Sequence, residues 1–206
     1  MQRPRVTAAA GIVLTALAIS TAACGGSPTA RVSSAVHSPP AVQAPASDRP
    51  PGVNAAATKE AEVYAQVLRR YLSTPAENSF QHAFKTVYVL NQAYPDAADP
   101  MGRHRPGALI APQAQRQVTA ALARMAHVIF IADRGSVPEA KKGCWQVRSG
   151  GILITLGPPV GHGHELRVGI NGFVACLGAT WLTYVLRHQP GIGWRVTGTT
   201  STMAIA

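Results

Sequence analysis

Acidic residues are scarce in this chain. Nine Asp and Glu stand against nineteen Lys and Arg over 206 residues, a formal net charge of +10. Glu139 and Glu165 are the only glutamates past Glu77, so few pairs remain for the two-carboxylate chemistry of glycoside hydrolysis. Cysteine occurs three times and never as Cys-x-x-Cys, which removes the usual dithiol redox motif. There is no Gly-x-Ser-x-Gly elbow and no phosphate-cradling Walker loop. Gly161-His162-Gly163 does not complete a dinucleotide fingerprint, because Leu166 stands where the third glycine belongs. After Cys24 no apolar run is long enough to span a membrane. These absences leave no catalytic set and no cofactor to expect.

What the chain does have begins at its N-terminus. Arg3 and Arg5 precede an apolar run from Val6 to Ile19, and small residues then lead to Thr21-Ala22-Ala23-Cys24-Gly25-Gly26. A positive start, a short apolar segment and a small-residue cleavage site describe a secretory signal. No Arg-Arg pair lies in it, so a twin-arginine route is not expected. The cysteine that follows resembles the lipobox of bacterial prolipoproteins, although Thr21 stands where a bulky aliphatic is usual. The resemblance implies that Cys24 takes a diacylglyceryl group and becomes the first residue of the processed chain. Its implied address is the outer face of the cytoplasmic membrane. A cleaved signal with a free Cys24 and an uncleaved anchor are the alternatives.

Arginine outnumbers lysine fifteen to four, a skew similar to that of high-GC actinobacterial proteins. Loss of Arg3 and Arg5 with the signal leaves a net charge of +8. A basic intracellular chain would suggest nucleic acid. For an exported one no nucleic-acid partner is expected, and anionic lipid headgroups or acidic wall polymers are the natural electrostatic partners. Arg103 and Arg105, in a long Pro/Gly loop, are the expected contact, ahead of Arg69-Arg70 and Lys141-Lys142.

Three segments are expected: a signal at 1–23, a tether at 24–57 and a single α+β domain at 58–206. Pro28, Pro39, Pro40, Pro45, Pro50 and Pro51 punctuate the tether, which has too little bulky apolar surface to offset the entropy of ordering. Extended at about 3.1 Å per residue, it would reach roughly 100 Å. Within the domain, Val63, Tyr64, Val67, Leu68, Tyr71 and Leu72 recur at helical spacing, with Glu60 and Glu62 placed in the first turn. Phe84–Leu90 reads as a strand. A second helix is expected from Pro112, with Val118, Leu122, Met125 and Ala126 on its apolar face, followed by a strand at 127–132. Short runs then succeed one another: Trp145–Arg148, Ile152–Leu156, Leu166–Ile170, Phe173–Leu177, Trp181–Arg187 and Trp194–Thr199. Glycine and proline turns between them predict an antiparallel meander. The fold expected is two N-terminal helices packed on a curved, mainly antiparallel C-terminal sheet.

The closing strands, ending in Gly193-Trp194-Arg195-Val196, resemble cone-shaped nuclear-transport-factor-2-like domains. Gly151–Gly157 and Val168–Trp181 resemble lipoproteins of high-GC actinobacteria. That resemblance implies export and an anchor, and assigns no catalytic residue.

Cys144 and Cys176 remain as an even pair in an exported domain, and a disulfide between them is expected. His162, His164 and Glu165 are metal-ligand types. Their spacing fits no zinc motif, and an exposed turn is the plainer reading. Asp133-Arg134 reads as an ion pair at a strand end. Trp145, Trp181 and Trp194 read as core, with a sugar- or lipid-binding face as the alternative. The function expected is a non-enzymatic binding domain at the cell envelope. The rival is an envelope enzyme with its site inside the cone of the sheet, which an inward-facing acid–base pair would favour.

Overall fold

A computed structural model describes residues 51–102, 105–200 and 204–206, with side chains from residue 55 onward. The signal, Cys24, most of the tether and Arg103 lie outside the described residues. The described helices include none long and apolar enough to cross a membrane.

Helix α1 (Pro51–Ser73) opens on a proline, whose missing N–H is no loss in a first turn. It therefore starts upstream of Thr58, and Glu60 and Glu62 stand in its interior rather than in its first turn. They act as tertiary pins instead of dipole partners. Glu60 Oε2 accepts from the Ala111 N–H at 3.3 Å, and Glu62 Oε1 from the Trp194 N–H at 2.8 Å. The apolar stripe forms as the spacing predicts: Val63, Tyr64, Val67, Leu68 and Tyr71 are fully buried. A single turn, α2 (Pro75–Asn78), follows. Asn78 closes this corner by donating to the Tyr71 carbonyl and accepting from the Phe80 N–H at 2.8 Å.

The chain then enters β1 (Thr86–Ala93), the short β2 (Ala108–Leu109), helix α3 (Pro112–Leu122) and β3 (His127–Ile131). Pro112 sits in the first turn of α3, and Ala114, Val118 and Leu122 are its buried face. Met125 lies beyond the helix end and is 40% exposed, so it is not part of that face. The hairpin β4 (Pro138–Lys141) and β5 (Cys144–Val147) comes next. The remaining strands are β6 (Ile152–Leu156), β7 (Glu165–Ala175), β8 (Gly178–Gln189), β9 (Gly193–Thr199) and β10 (Ala204–Ile205).

The architecture is α+β with a curled, mostly antiparallel sheet. Two features differ from expectation. The helices are not both N-terminal to the sheet, since α3 lies between β2 and β3. And β1 pairs in parallel with both β3 and β6, while β6–β7–β8–β9 run antiparallel. A parallel neighbour needs a crossover connection rather than a tight turn, and the β2–α3 segment supplies it between β1 and β3.

The meander also has one strand fewer than its glycines suggest. Leu166–Ile170 and Phe173–Leu177 are expected as two strands with a turn at Asn171-Gly172. They form one strand, β7, paired with β8 along its length. Gly172 marks a close approach, not a turn. A Cβ there would collide with the ring and hydroxyl of Tyr71, whose oxygen is hydrogen-bonded to Thr180 Oγ1.

The core lies between the helices and one face of the sheet. Val87, Val89, Val128, Ile152, Ile154, Val168, Ile170 and Leu182 alternate along their strands and meet α1 and α3 there. A smaller cluster sits on the reverse face, where Tyr88, Leu90 and Leu153 pack against Val137 and Val147 at the β4–β5 hairpin.

Candidate functional site

The reverse face is only partly covered, and the uncovered part forms a groove. One border is the turn segment after β1. It is docked by the Tyr94 N–H, which donates to the Leu156 carbonyl at 2.7 Å. Two glycines let it lie flat on the sheet. A Cβ on Gly169 would come within 3.0 Å of Ala98, and Gly157 lies against the Gly169 backbone. Ala97 is buried as a result. The other border is the β4–β5 hairpin. Cys144 on β5 is joined to Cys176 at the β7–β8 turn by the expected disulfide, with Cα atoms 5.6 Å apart. Between β5 and β7 the ladder itself has the single register pair Gln146–Ala175.

The groove has a polar compartment of about 500 Å3. The turn segment after β1 brings Asp96 and Asp99 to it and the end of β3 brings Asp133, while Thr155, Asn171 and Trp181 line it from the sheet. Each carboxylate is aimed by a backbone N–H of its own loop. Asp96 Oδ2 accepts from Arg105 at 3.2 Å, Asp99 Oδ1 from Met101 at 2.9 Å, and Asp133 Oδ1 from Gly135 at 2.9 Å. Thr155 on β6 and Asn171 on β7 are register neighbours, as are Asn171 and Trp181 across β7 and β8. Asn171 Nδ2 donates to the Thr180 carbonyl at 3.0 Å, which fixes its amide.

A second compartment of about 410 Å3 is mainly apolar, lined by Pro138, Trp145, Leu153 and Phe173. Arg134 borders both compartments. Its guanidinium donates to Thr155 Oγ1 at 2.8 Å. Asp133 and Arg134 are therefore not the ion pair expected at this strand end. Asp133 caps the 3-10 turn Arg134–Ser136, while Arg134 reaches across to β6.

Of the three tryptophans expected as core, only Trp194 is buried. Trp145 is 60% exposed and Trp181 is half-buried at the groove floor. Trp194 has the Lys59 ammonium 5.1 Å from its ring centroid and His188 at 5.3 Å.

The residues singled out in sequence are dispersed. Arg105 is exposed, and its backbone ties the loop to Asp96. Arg69 and Arg70 are exposed on α1. Arg69 reaches the Ala121 carbonyl at 3.2 Å, and Arg70 pairs with Glu77. His162 and His164 are exposed in the β6–β7 connection. The His164 ring lies beside His188, with centroids 6.0 Å apart. The Glu165 carboxylate is shared by Arg187 at 3.2 Å and Arg167 at 3.7 Å. Among the described residues no three metal-ligand side chains come together.

Another cavity, of about 650 Å3, lies on the helix side and is lined largely by Ala57, Val63, Ala111 and Leu166, with Lys59 and Glu60 at its rim. Burial pushes the Glu60 carboxyl above the usual range, with the Ala111 N–H pulling the other way. Burial likewise raises the Tyr64 phenol, whose hydroxyl donates to the Gly157 carbonyl at 3.2 Å. Glu77 moves in the opposite direction: its hydrogen bonds from Arg70 hold it below the usual range against the effect of burial, and the Tyr184 hydroxyl adds to them.

Sequence reasoning missed the groove because Asp96, Asp99, Asp133, Thr155, Asn171 and Trp181 come from five separate chain segments. The available signal was scarcity. Three of the nine acidic residues of the chain gather in one cavity. No protein-family model matches this chain, and neither curated proteins nor solved structures show a match to it.

Proposed function

We propose that the chain is a lipid-anchored lipoprotein on the outer face of the cytoplasmic membrane, whose domain binds an envelope component without transforming it. The observation that carries the binding half is the open groove on the reverse face of the sheet. Its carboxylates are held by backbone N–H groups, its amide by a strand carbonyl, and its arginine by a threonine hydroxyl. Such groups are prearranged to orient a ligand. The anchoring half rests on Thr21-Ala22-Ala23-Cys24 and the signal that precedes it. Arg103 and Arg105, which belong to the long Pro/Gly loop in sequence, supply attraction toward anionic lipid or wall polymer.

The rival reading, an envelope enzyme, is favoured by Glu60, a carboxyl raised by burial at the rim of a cavity. Against it, Glu60 already holds the Ala111 N–H, and its cavity is lined mostly by aliphatic side chains. The inside of the curled sheet is filled by α1 and α3.

Cell fractionation tests the reading. Wild type is expected with membranes. Cys24→Ala is expected soluble outside the membrane, or retained as an unprocessed precursor. A processed Cys24→Ala protein that fractionates as wild type does would end the lipoprotein assignment. Isolated envelopes should retain the wild-type chain, and Trp181→Ala should weaken that retention.

A further inference from the structure

We propose that the groove binds a neutral, hydroxyl-rich glycan segment, with one sugar unit against Trp181 and the next extending past Arg134 toward Trp145. This rests on the binding reading above and names its ligand class.

Charge selects first. The polar compartment holds three carboxylates and one guanidinium, on a chain that is otherwise strongly basic. An anionic polymer attracted to the rest of the surface is repelled here. A simple ammonium ligand meets a different obstacle. Arg134 stands between the two compartments, where an extended cation would have to pass it.

Hydroxyl groups suit both signs. A sugar hydroxyl donates and accepts. It can donate to Asp96, Asp99 and Asp133 and accept from the remaining N–H groups of Arg134, of which one is spent on Thr155. The three carboxylates are aimed by backbone N–H groups at 2.9–3.2 Å, so little ordering is left for binding to impose.

Aromatic faces select next. A pyranose ring has an apolar C–H face, and indole offers a large rigid surface for it at small entropic cost. Trp181 lies at the floor of the polar compartment. Trp145 stands 60% exposed over the apolar one, beside Phe173. An exposed tryptophan in a chain with only three is not explained by core packing. The compartments, about 500 and 410 Å3, each fall within the usual range for small-ligand pockets. Arg134 borders both, so a short chain of sugars that passes it reaches both compartments, where a single unit fills one.

The test is calorimetric titration of the purified full chain in detergent against maltoheptaose, cellohexaose and chitohexaose, with spermidine and polyglutamate as charged controls. At least one neutral oligosaccharide should bind saturably. Trp181→Ala should weaken it about tenfold, and Trp145→Ala and Asp99→Asn about threefold each. The last two side chains are exposed, so these variants keep the proposal falsifiable if Trp181→Ala does not fold. The proposal falls if none of the three oligosaccharides binds, if binding ignores all three substitutions, or if spermidine or polyglutamate binds more tightly. Should the oligosaccharides fail while envelope retention still depends on Trp181, the glycan is wrong and the envelope-binding reading stands.

Discussion

Along β7 and β8 alternate residues meet two different environments. Val168, Ile170, Leu182, Tyr184 and Leu186 face α1 and α3 and are at most 1% exposed. Between them, Arg167, Asn171, Trp181 and Arg187 face the other way and bring polar or partly exposed groups to the reverse face. One strand thus serves both a closed apolar layer and an open polar one, because successive side chains of a strand point to opposite faces. The inner face carries stability. The reverse face, freed from that task over part of its area, can keep carboxylates, an amide and an indole at the surface of a groove.

The sharpest way to break this comparison is to remove one aromatic from each face. Tyr71 is fully buried, covers Gly172 and pairs with Thr180. Tyr71→Ala is expected to cost about 3–5 kcal/mol in chemical unfolding. Trp145→Ala, on the reverse face, is expected to stay within about 0.5 kcal/mol. Similar losses for both would mean that stability is not segregated by face.

A somewhat smaller effect is expected from the disulfide, which separates the layers differently. Its loop closes over a sequence separation of 32, which the chain-entropy model values at about 3–4 kcal/mol. Cys144→Ser with Cys176→Ser should therefore lower stability by about 3 kcal/mol. Amide exchange should rise first in 138–147, where β5 and β7 share a single ladder pair. If α1 loses protection equally early, the hairpin is not a separate outer layer.

The smallest effect is electrostatic and lies on the inner side. Arg70 holds the Glu77 carboxyl below its usual value. A lowered folded-state value contributes stability above the unfolded value, and that contribution fades as pH falls through the folded one. Glu77→Gln should therefore cost about 1 kcal/mol at pH 7 and flatten the acid side of the stability profile below about pH 4. Glu60 has the opposite sign. Burial raises its carboxyl, so the charged form is penalised at neutral pH and the penalty is relieved as pH falls. Glu60→Gln should remove that pH dependence, less whatever the Ala111 hydrogen bond contributed. Urea unfolding of wild type and the two variants from pH 3 to 7 gives both slopes as wild-type-minus-variant differences, and differences of the same sign would refute the assignment.

Much of the inner face was legible in the sequence. Val63, Tyr64, Val67, Leu68 and Tyr71 recur at helical spacing, and a helix face needs nothing more than that spacing and a partner layer. Ile152–Leu156 was read at its observed bounds, since a short continuous apolar run suits a strand buried on both sides. Glycine misled. Gly172 looks like a turn in sequence, yet it is the place where the Tyr71 hydroxyl needs room. A missing side chain reads the same whether it frees the backbone or admits a neighbour. Glu60 and Glu62 misled in the same way, because their partners, Ala111 and Trp194, lie 51 and 132 residues away.

What the sequence determined by itself is therefore local: the amphipathic stripe of α1, the proline at the start of α3, the strand segments and the even cysteine pair. Each depends on neighbours a few positions apart or on a simple count. The tertiary structure alone decided the parallel pairing of β1 with β3 and β6, the continuity of β7 and the gathering of Asp96, Asp99 and Asp133 beside Trp181. Those features arise from strand order and from which loops a curled sheet brings to one face. Residues separated by tens of positions carry no periodic signal of that proximity, and so the groove becomes visible only when the chain is folded.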